Sequence, residues 1–233
     1  MPDMIPVVDT TEIVPWSFSK MMTFETCPRQ YEAKYVLKSV PFVQNEAAKW
    51  GDDVHKALEN NLRYGMEMPS NMAMYQRFAD AVRRFSGEIV AERQVAVNPH
   101  LMETGYFDGD VWVRAKIDVT IINGNKAKVL DWKTGKMKDD PKQLMFYALL
   151  VFIMHPQVEE VQAGFVWLKD GVVTPPATFR KEQFGQMLSM WVSKYNALKE
   201  AHNIGVFPPR PSGLCKGWCE VTSCEHWEPK RKK

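Results

Sequence analysis

Between Asn71 and Phe85, apolar side chains return at Met74, Phe78, Val82 and Phe85, the three-to-four-residue spacing of one buried helical face. The same period predicts a helix over about Glu46 to Arg63, with Gly51, His55, Leu58 and Leu62 on one side. Upstream, Ser17 or Ser19 can cap a helix through SKMMTFET. Cys27-Pro28 interrupts it, since proline is tolerated at a helix start and not inside, and RQYEAKYVL resumes it. Past residue 87 the period changes to two. Residues 88–97 and 111–133 read as strands, followed by a helix from Asp140 to Met154 with Pro141 in its first turn and His155-Pro156 beyond its end. Strands near 161–168 and 171–174, joined through Lys169-Asp170-Gly171, precede a long helix from about Lys181 to His202. The last thirty residues are irregular and rich in proline and cysteine.

The stretch from 111 to 136 carries the most information. Val111, Val113, Ala115, Ile117, Val119 and Ile121 alternate onto one face, leaving Arg114, Lys116 and Asp118 on the other. Asn123-Gly124-Asn125 signals a hairpin turn. A two-residue turn at Gly124-Asn125 sets Asp118 directly opposite Asp131, and a turn one residue earlier makes them diagonal neighbours on the same face. Lys133 projects to that side as well, with Leu130 and Trp132 on the apolar side. Carboxylates held about 5 Å apart repel unless something positive lies between them, and oxygen ligands suit hard ions such as Mg²⁺ or Mn²⁺. A neighbouring lysine can orient a water and offset charge growing on a phosphate. The plain alternative is an exposed hairpin with surface ion pairs from Asp118 to Lys116 or Lys133.

Composition narrows the classes. In 233 residues there is room for one sizeable core and an appendage, and 45% hydrophobic with 12% aromatic residues excludes wholesale disorder. The longest apolar run, Met145 to Met154, is ten residues, against the ~18 or more that a membrane span needs. The opening MPDMIPVVDT has no basic residue and no long apolar stretch, so no secretory signal is expected and a reducing, cytoplasmic setting is the default. There, Cys27, Cys215, Cys219 and Cys224 read as metal ligands and not disulfides. The formal charge of +2 exerts no overall pull on polyanions, so nucleic-acid binding requires a local cleft. The basic run Lys230 to Lys233 reads as a solvated tail.

Further candidates come from placement. His55 shares the stripe of Leu58 and Leu62, so its imidazole should face inward and need a partner. Gln143 and Tyr147, four apart, share a helix face that begins ten residues after Lys133. Glu92, in AERQV, is a weaker acidic candidate whose alternative is a solvent-facing strand position.

In joint order, GDDVH at 51–55, KIDV at 116–119, LDWKTG at 130–135 and QLMFY at 143–147 resemble the motif series of the RecB-type branch of the PD-(D/E)XK nucleases. The resemblance runs from about Ser17 to Tyr147 and resumes at the cysteines. It implies an α/β fold, a central mixed β-sheet flanked by helices in a restriction-endonuclease-like core, which agrees with the order of elements above. It also implies His55, Asp118 and Asp131 as metal ligands, joined by the Trp132 main-chain carbonyl, with Lys133 catalytic and Gln143 and Tyr147 beside the DNA. One departure is Ala115, where many relatives have a glycine three residues before the aspartate. Cys27 with the spacing CxxxCxxxxC is similar to the iron–sulfur staple of AddB-type helicase-nucleases and CRISPR adaptation nucleases, which implies a [4Fe-4S] cluster. In those relatives the spacing is usually CxxCxxxxxC, so the middle cysteine here is displaced by one. Zinc held by the four cysteines, or by the C-terminal trio with His226, is the rival.

The expected organisation is therefore a nuclease domain over residues 1–204, with a Cys-rich segment at 205–233 packed on the N-terminal helices through a metal centre shared with Cys27. The expected function is metal-dependent hydrolysis of DNA phosphodiesters, as an exonuclease or end-processing enzyme of recombination or repair, carried by a phage or its bacterial host. The alternative is a non-catalytic DNA-end-binding module serving a helicase or recombination partner. No phosphate-binding GxxxxGK[ST] loop marks a motor in the chain.

Overall fold

The computed structural model describes residues 8–41, 43–138 and 140–230, so the expected basic tail beyond Lys230 lies outside them. Ser17, in extended backbone, accepts from the Lys20 amide and opens α1, Phe18–Thr26. Cys27 breaks the helix, and Pro28 begins α2, Pro28–Tyr31, which runs into a π-helical turn at Glu32–Val36. Asn45 caps α3, Glu46–Tyr64, by accepting from the Ala48 amide at 2.8 Å. A 3₁₀ turn, Ser70–Tyr75, leads into α4, Gln76–Arg83. The strands are β1, Glu88–Val97; β2, Val113–Asn123; and β3, Lys126–Lys133. Asp140 caps α5, Pro141–Met154, and after it come β4, Glu160–Trp167; β5, Val172–Val173; and β6, Ala177–Arg180. The chain then enters α6, Phe184–Ile204, and ends in irregular segments.

The strands form one sheet in the order β1-β2-β3-β4-β5, with β6 also beside β4. Only β3 and β4 run parallel, because α5 lies between them as a crossover; every other pair is antiparallel. The sheet is thus mixed and flanked by helices. Gly124, at φ 59°, makes the β2–β3 turn and sets Val119 opposite Leu130. Helices cover both faces. On one, α1, α5 and α6 bury Trp16, Phe146, Trp191 and Tyr195 with Trp112, Ile117 and Phe165. On the other, α3 and α4 bury Val54, Leu58, Phe78 and Val82 with Val119, Ile121, Trp132 and Leu168.

Two expectations fail here for physical reasons. Met74 and Phe85 are exposed, while Met72 and Tyr75 are buried, because the 3₁₀ turn shifts the phase of the helical stripe by its tighter winding. The odd positions of β2 also do not share one face. Val113, Ala115 and Ile117 join the first core, Val119 and Ile121 join the second, and Ile122 packs on the first. β2 changes faces at Asp118. Across from it, Glu92 has φ 53°, and the ladder that joins Ala91 to Val119 and Arg93 to Ile117 skips the pair between them. This break brings two acidic side chains out of the regular alternation at one level of the sheet.

Candidate active site

The break lies where β2 and β3 part. Their pairing ends at Val119 and Leu130, after which β3 continues beside β4 alone while Val113 bridges to Trp16. α3 passes over this fork. Gly51 lets it come close to the end of β3, since a Cβ at that position would stand 3.0 Å from Thr134 Oγ1. One helical turn later His55 points into the fork, with Nδ1 3.2 Å from Asp118 Oδ1 and 3.5 Å from Glu92 Oε1. One ligand atom from each of His55, Glu92 and Asp118 lies within 4.8 Å of the others, and it is the only such triad of His, Cys, Asp or Glu among the described residues.

Asp118 is fixed from its other oxygen, which accepts from the Trp132 amide at 2.7 Å. The Trp132 ring packs on Phe78 in the second core. Asp131 and Lys133 face the α5 side. Lys133 Nζ lies 2.6 Å from Asp131 Oδ2, 3.1 Å from Gln143 Oε1 and 5.1 Å from the centre of the Phe165 ring. Gln143 Nε2 donates to Asp131 Oδ1 at 3.1 Å and to the Tyr147 hydroxyl at 2.9 Å. Gln143 therefore holds both ends of the Asp131–Lys133 pair. Tyr147, expected beside DNA, is buried behind Gln143 and steadies it from within.

Charge accumulates here. Burial opposes the His55 cation, but Asp118 and Glu92 outweigh it and push the imidazolium up to about 10. Burial, then the charge of Asp118, raise the Asp131 carboxyl to about 6, with Lys133 pulling the other way. Burial raises the Tyr147 hydroxyl well above its usual range, with Asp131 and Asp118 adding to it, so it stays neutral. Both Glu92 oxygens and Asp131 Oδ2 are buried with no hydrogen bond. Glu92 Oε2 is 2.6 Å from Lys116 Nζ, Glu92 Oε1 is 3.5 Å from His55 Nδ1 and Asp131 Oδ2 is 2.6 Å from Lys133 Nζ, all outside hydrogen-bond geometry. Lys116 is half exposed, and solvent screens much of its attraction. Leaving such carboxylates unsatisfied costs several kcal/mol, roughly, without a further cation. One imidazole nitrogen and two or three carboxylates are a donor set that a divalent metal fits.

Glu92 enters the cluster in place of a solvent-facing position, and the sequence carried only a weak signal for it. Asp131 lies beyond that triad, across Asp118. Apart from this cluster, Cys27, Cys215, Cys219 and Cys224 line one small cavity with Gln30, Pro211, His226 and Trp227. The Cys27 and Cys215 sulfurs accept from the amides of Arg210 and Ser212, each at 3.4 Å.

A mixed sheet thus holds a histidine, three buried carboxylates and a lysine in an open fork, a candidate site for a divalent metal. The model of the PD-(D/E)XK nuclease superfamily matches residues 15–224, and the chain belongs to that superfamily, whose members are typically metal-dependent nucleases. The crystal structure of SSO0001 is similar over 94% of this chain and 88% of that one, with 16% identity and a TM-score of 0.47. No curated protein sequence matches the chain. Among the described residues no helix is long and apolar enough to cross a membrane.

Proposed function

We propose that the chain is a metal-dependent deoxyribonuclease of the RecB-type branch, acting on DNA ends in recombination or repair. The observation that carries this reading is the triad of His55, Glu92 and Asp118 set beside Asp131 and Lys133 in one fork. His55, Glu92 and Asp118 would hold the cation, with Asp131 and the Trp132 carbonyl as the remaining candidate ligands. A divalent ion bound there supplies positive charge to phosphate oxygens and acidifies a water. Lys133 adds a second cation where the phosphate gains charge, and Gln143 fixes its direction. Asp118, tied to the Trp132 amide, keeps its other oxygen turned to His55. Mg²⁺ and Mn²⁺ both suit the oxygen-rich set, and imidazole favours Mn²⁺.

We read the four cysteines as ligands of a [4Fe-4S] cluster joining the two ends of the fold, so that residues 205–233 act as its clasp. Thiolates around one tetrahedral zinc stand about 3.8 Å apart. Among the described residues no three of these sulfurs, with or without His226, come within 4.8 Å of one another. A cluster of several irons spreads its thiolates wider, which supports iron over zinc.

The test is cleavage of end-labelled linear and of circular DNA with Mg²⁺ or Mn²⁺. Loss of the linear substrate alone is expected. Cutting of both makes the enzyme an endonuclease. Lys133→Ala should bind Mn²⁺ as the parent does while kcat drops by about 10² or more. Binding of ends without any hydrolysis by the parent would replace this reading with a DNA-end-binding module.

A further inference from the structure

Along β2 the polar face continues away from the metal-binding fork. Lys116 stands beside Glu92, and Arg114 follows two residues earlier on the same side. The Arg114 guanidinium lies 5.3 Å from the centre of the Tyr106 ring and 5.9 Å from that of Phe107. Both rings sit at the tip of the loop joining β1 to β2, in edge-on contact at 5.1 Å. The tip is braced from inside. The Asp108 carboxylate accepts from the Gly105 amide at 2.9 Å and the Thr104 hydroxyl at 3.1 Å, and Asp110 accepts from Thr104 and Asn98. Both carboxylates are thus engaged with the loop's own donors, while Phe107 is 82% exposed.

On α1, Lys20 donates to the Pro15 carbonyl at 3.3 Å, one residue before Trp16, whose own carbonyl accepts from the Arg114 amide at 3.0 Å. Lys20 stands over the Tyr35 ring at 5.6 Å, and burial together with the charges of Arg114 and Lys38 lowers its pKa. Among the described residues none of Lys20, Lys38 and Arg114 forms an ion pair, and the buried Arg114 Nε has no hydrogen-bond partner. Neither Lys20 nor Arg114 has a carboxylate at ion-pair distance, and Arg114 borders an aromatic face held open to water. That combination fits an anionic chain bearing flat apolar groups, and base stacking needs bases free of a duplex.

We propose that Lys20, Arg114 and Phe107 form a strand-holding subsite for single-stranded DNA, the two cations on backbone phosphates and one unpaired base stacked on Phe107. Four residues of β2 separate Arg114 from Asp118, about 14 Å, so the stacked base lies a few nucleotides from the bond that is cut. The proposal rests on the nuclease reading and adds to it a strand preference and a direction of approach.

The test measures Kd for a fluorescent oligo-dT by anisotropy in the Lys133→Ala background, where the strand stays intact. Phe107→Ala should weaken binding about tenfold, Phe107→Trp should restore it, and binding of a blunt hairpin duplex should change less than about twofold. Thermal melting should not move, since the ring is exposed. Arg114→Ala should lower the slope of log Kd against log salt by about 0.7. Parental affinity in Phe107→Ala, or an equal loss on the duplex, would overturn the subsite even if the enzyme cuts DNA. Conversely, a parent chain that cuts no DNA but shows the Phe107 effect refutes hydrolysis and leaves the subsite standing.

Discussion

Asp131 is held in a place that favours its protonated form. Burial and the neighbouring Asp118 raise its carboxyl to about 6, so at neutral pH the metal-free fold carries an ionised group it would rather keep neutral. The native state binds this proton more tightly than the unfolded chain does. Stability therefore falls as pH rises from about 4 to about 6. Asp131→Asn removes that repulsion and keeps an acceptor for the Gln143 amide. In urea titrations at pH 7 without metal the variant should be more stable by about 1–3 kcal/mol, with the gap closing below about pH 4. It should also have lost cleavage, because the ionised oxygen beside Lys133 is gone. A variant less stable than the parent at pH 7 would show that the Lys133 ion pair outweighs the repulsion.

At the scale of elements, the decisive feature is the crossing of faces at Glu92 and Asp118. A non-glycine residue at φ 53° in mid-strand costs on the order of 1 kcal/mol or more, and the break leaves one ladder pair unmade. What it yields is a carboxylate turned to His55. Glu92→Gln keeps the shape and removes the charge, so Mn²⁺ affinity by calorimetry should fall about tenfold or more with the circular dichroism spectrum unchanged. Unchanged affinity would remove Glu92 from the ligand set. Little of this was legible beforehand. The Gly124-Asn125 turn gave the β2–β3 register, hence the pairing level of Asp118 and Asp131, because a tight turn determines register arithmetically. Pro141 and Asp140 marked the start of α5 for the same kind of local reason. The face change was hidden, since Val113 to Ile121 alternate without interruption and the cause is a backbone torsion on the neighbouring strand. The short β6 escaped because Ala177–Arg180 is only four residues long, too few for its alternation to stand out. Likewise Glu92 looked solvent-facing to any reading that assumes regular pleating.

At the scale of the whole molecule, the two ends of the described chain meet. Arg210 donates to the Glu25 carbonyl and to Cys27, Lys34 pairs with Glu220, and the four cysteines share one cavity. If they hold a cluster, protein purified without oxygen should be brown, absorb near about 400 nm and contain iron and sulfide. Cys27→Ser should bleach it and lower Tm by several degrees, since a cross-link spanning so long a loop restricts the unfolded chain. Colourless protein with one equivalent of zinc, indifferent to Cys27→Ser, would assign the site to the C-terminal trio and His226.

The meeting of residues 25–34 with 210–227 also orders events in time. Translation proceeds at roughly 5–20 residues per second, so α1 and α2 leave the ribosome on the order of ten seconds or more before their partners exist. The strands that carry the carboxylates are made in that interval. A chain made only as far as residue 209 thus has all its strands and α6, while Cys27 still lacks Arg210 and Lys34 still lacks Glu220. Contact between these two segments is therefore among the last that the described residues can make as they are synthesised.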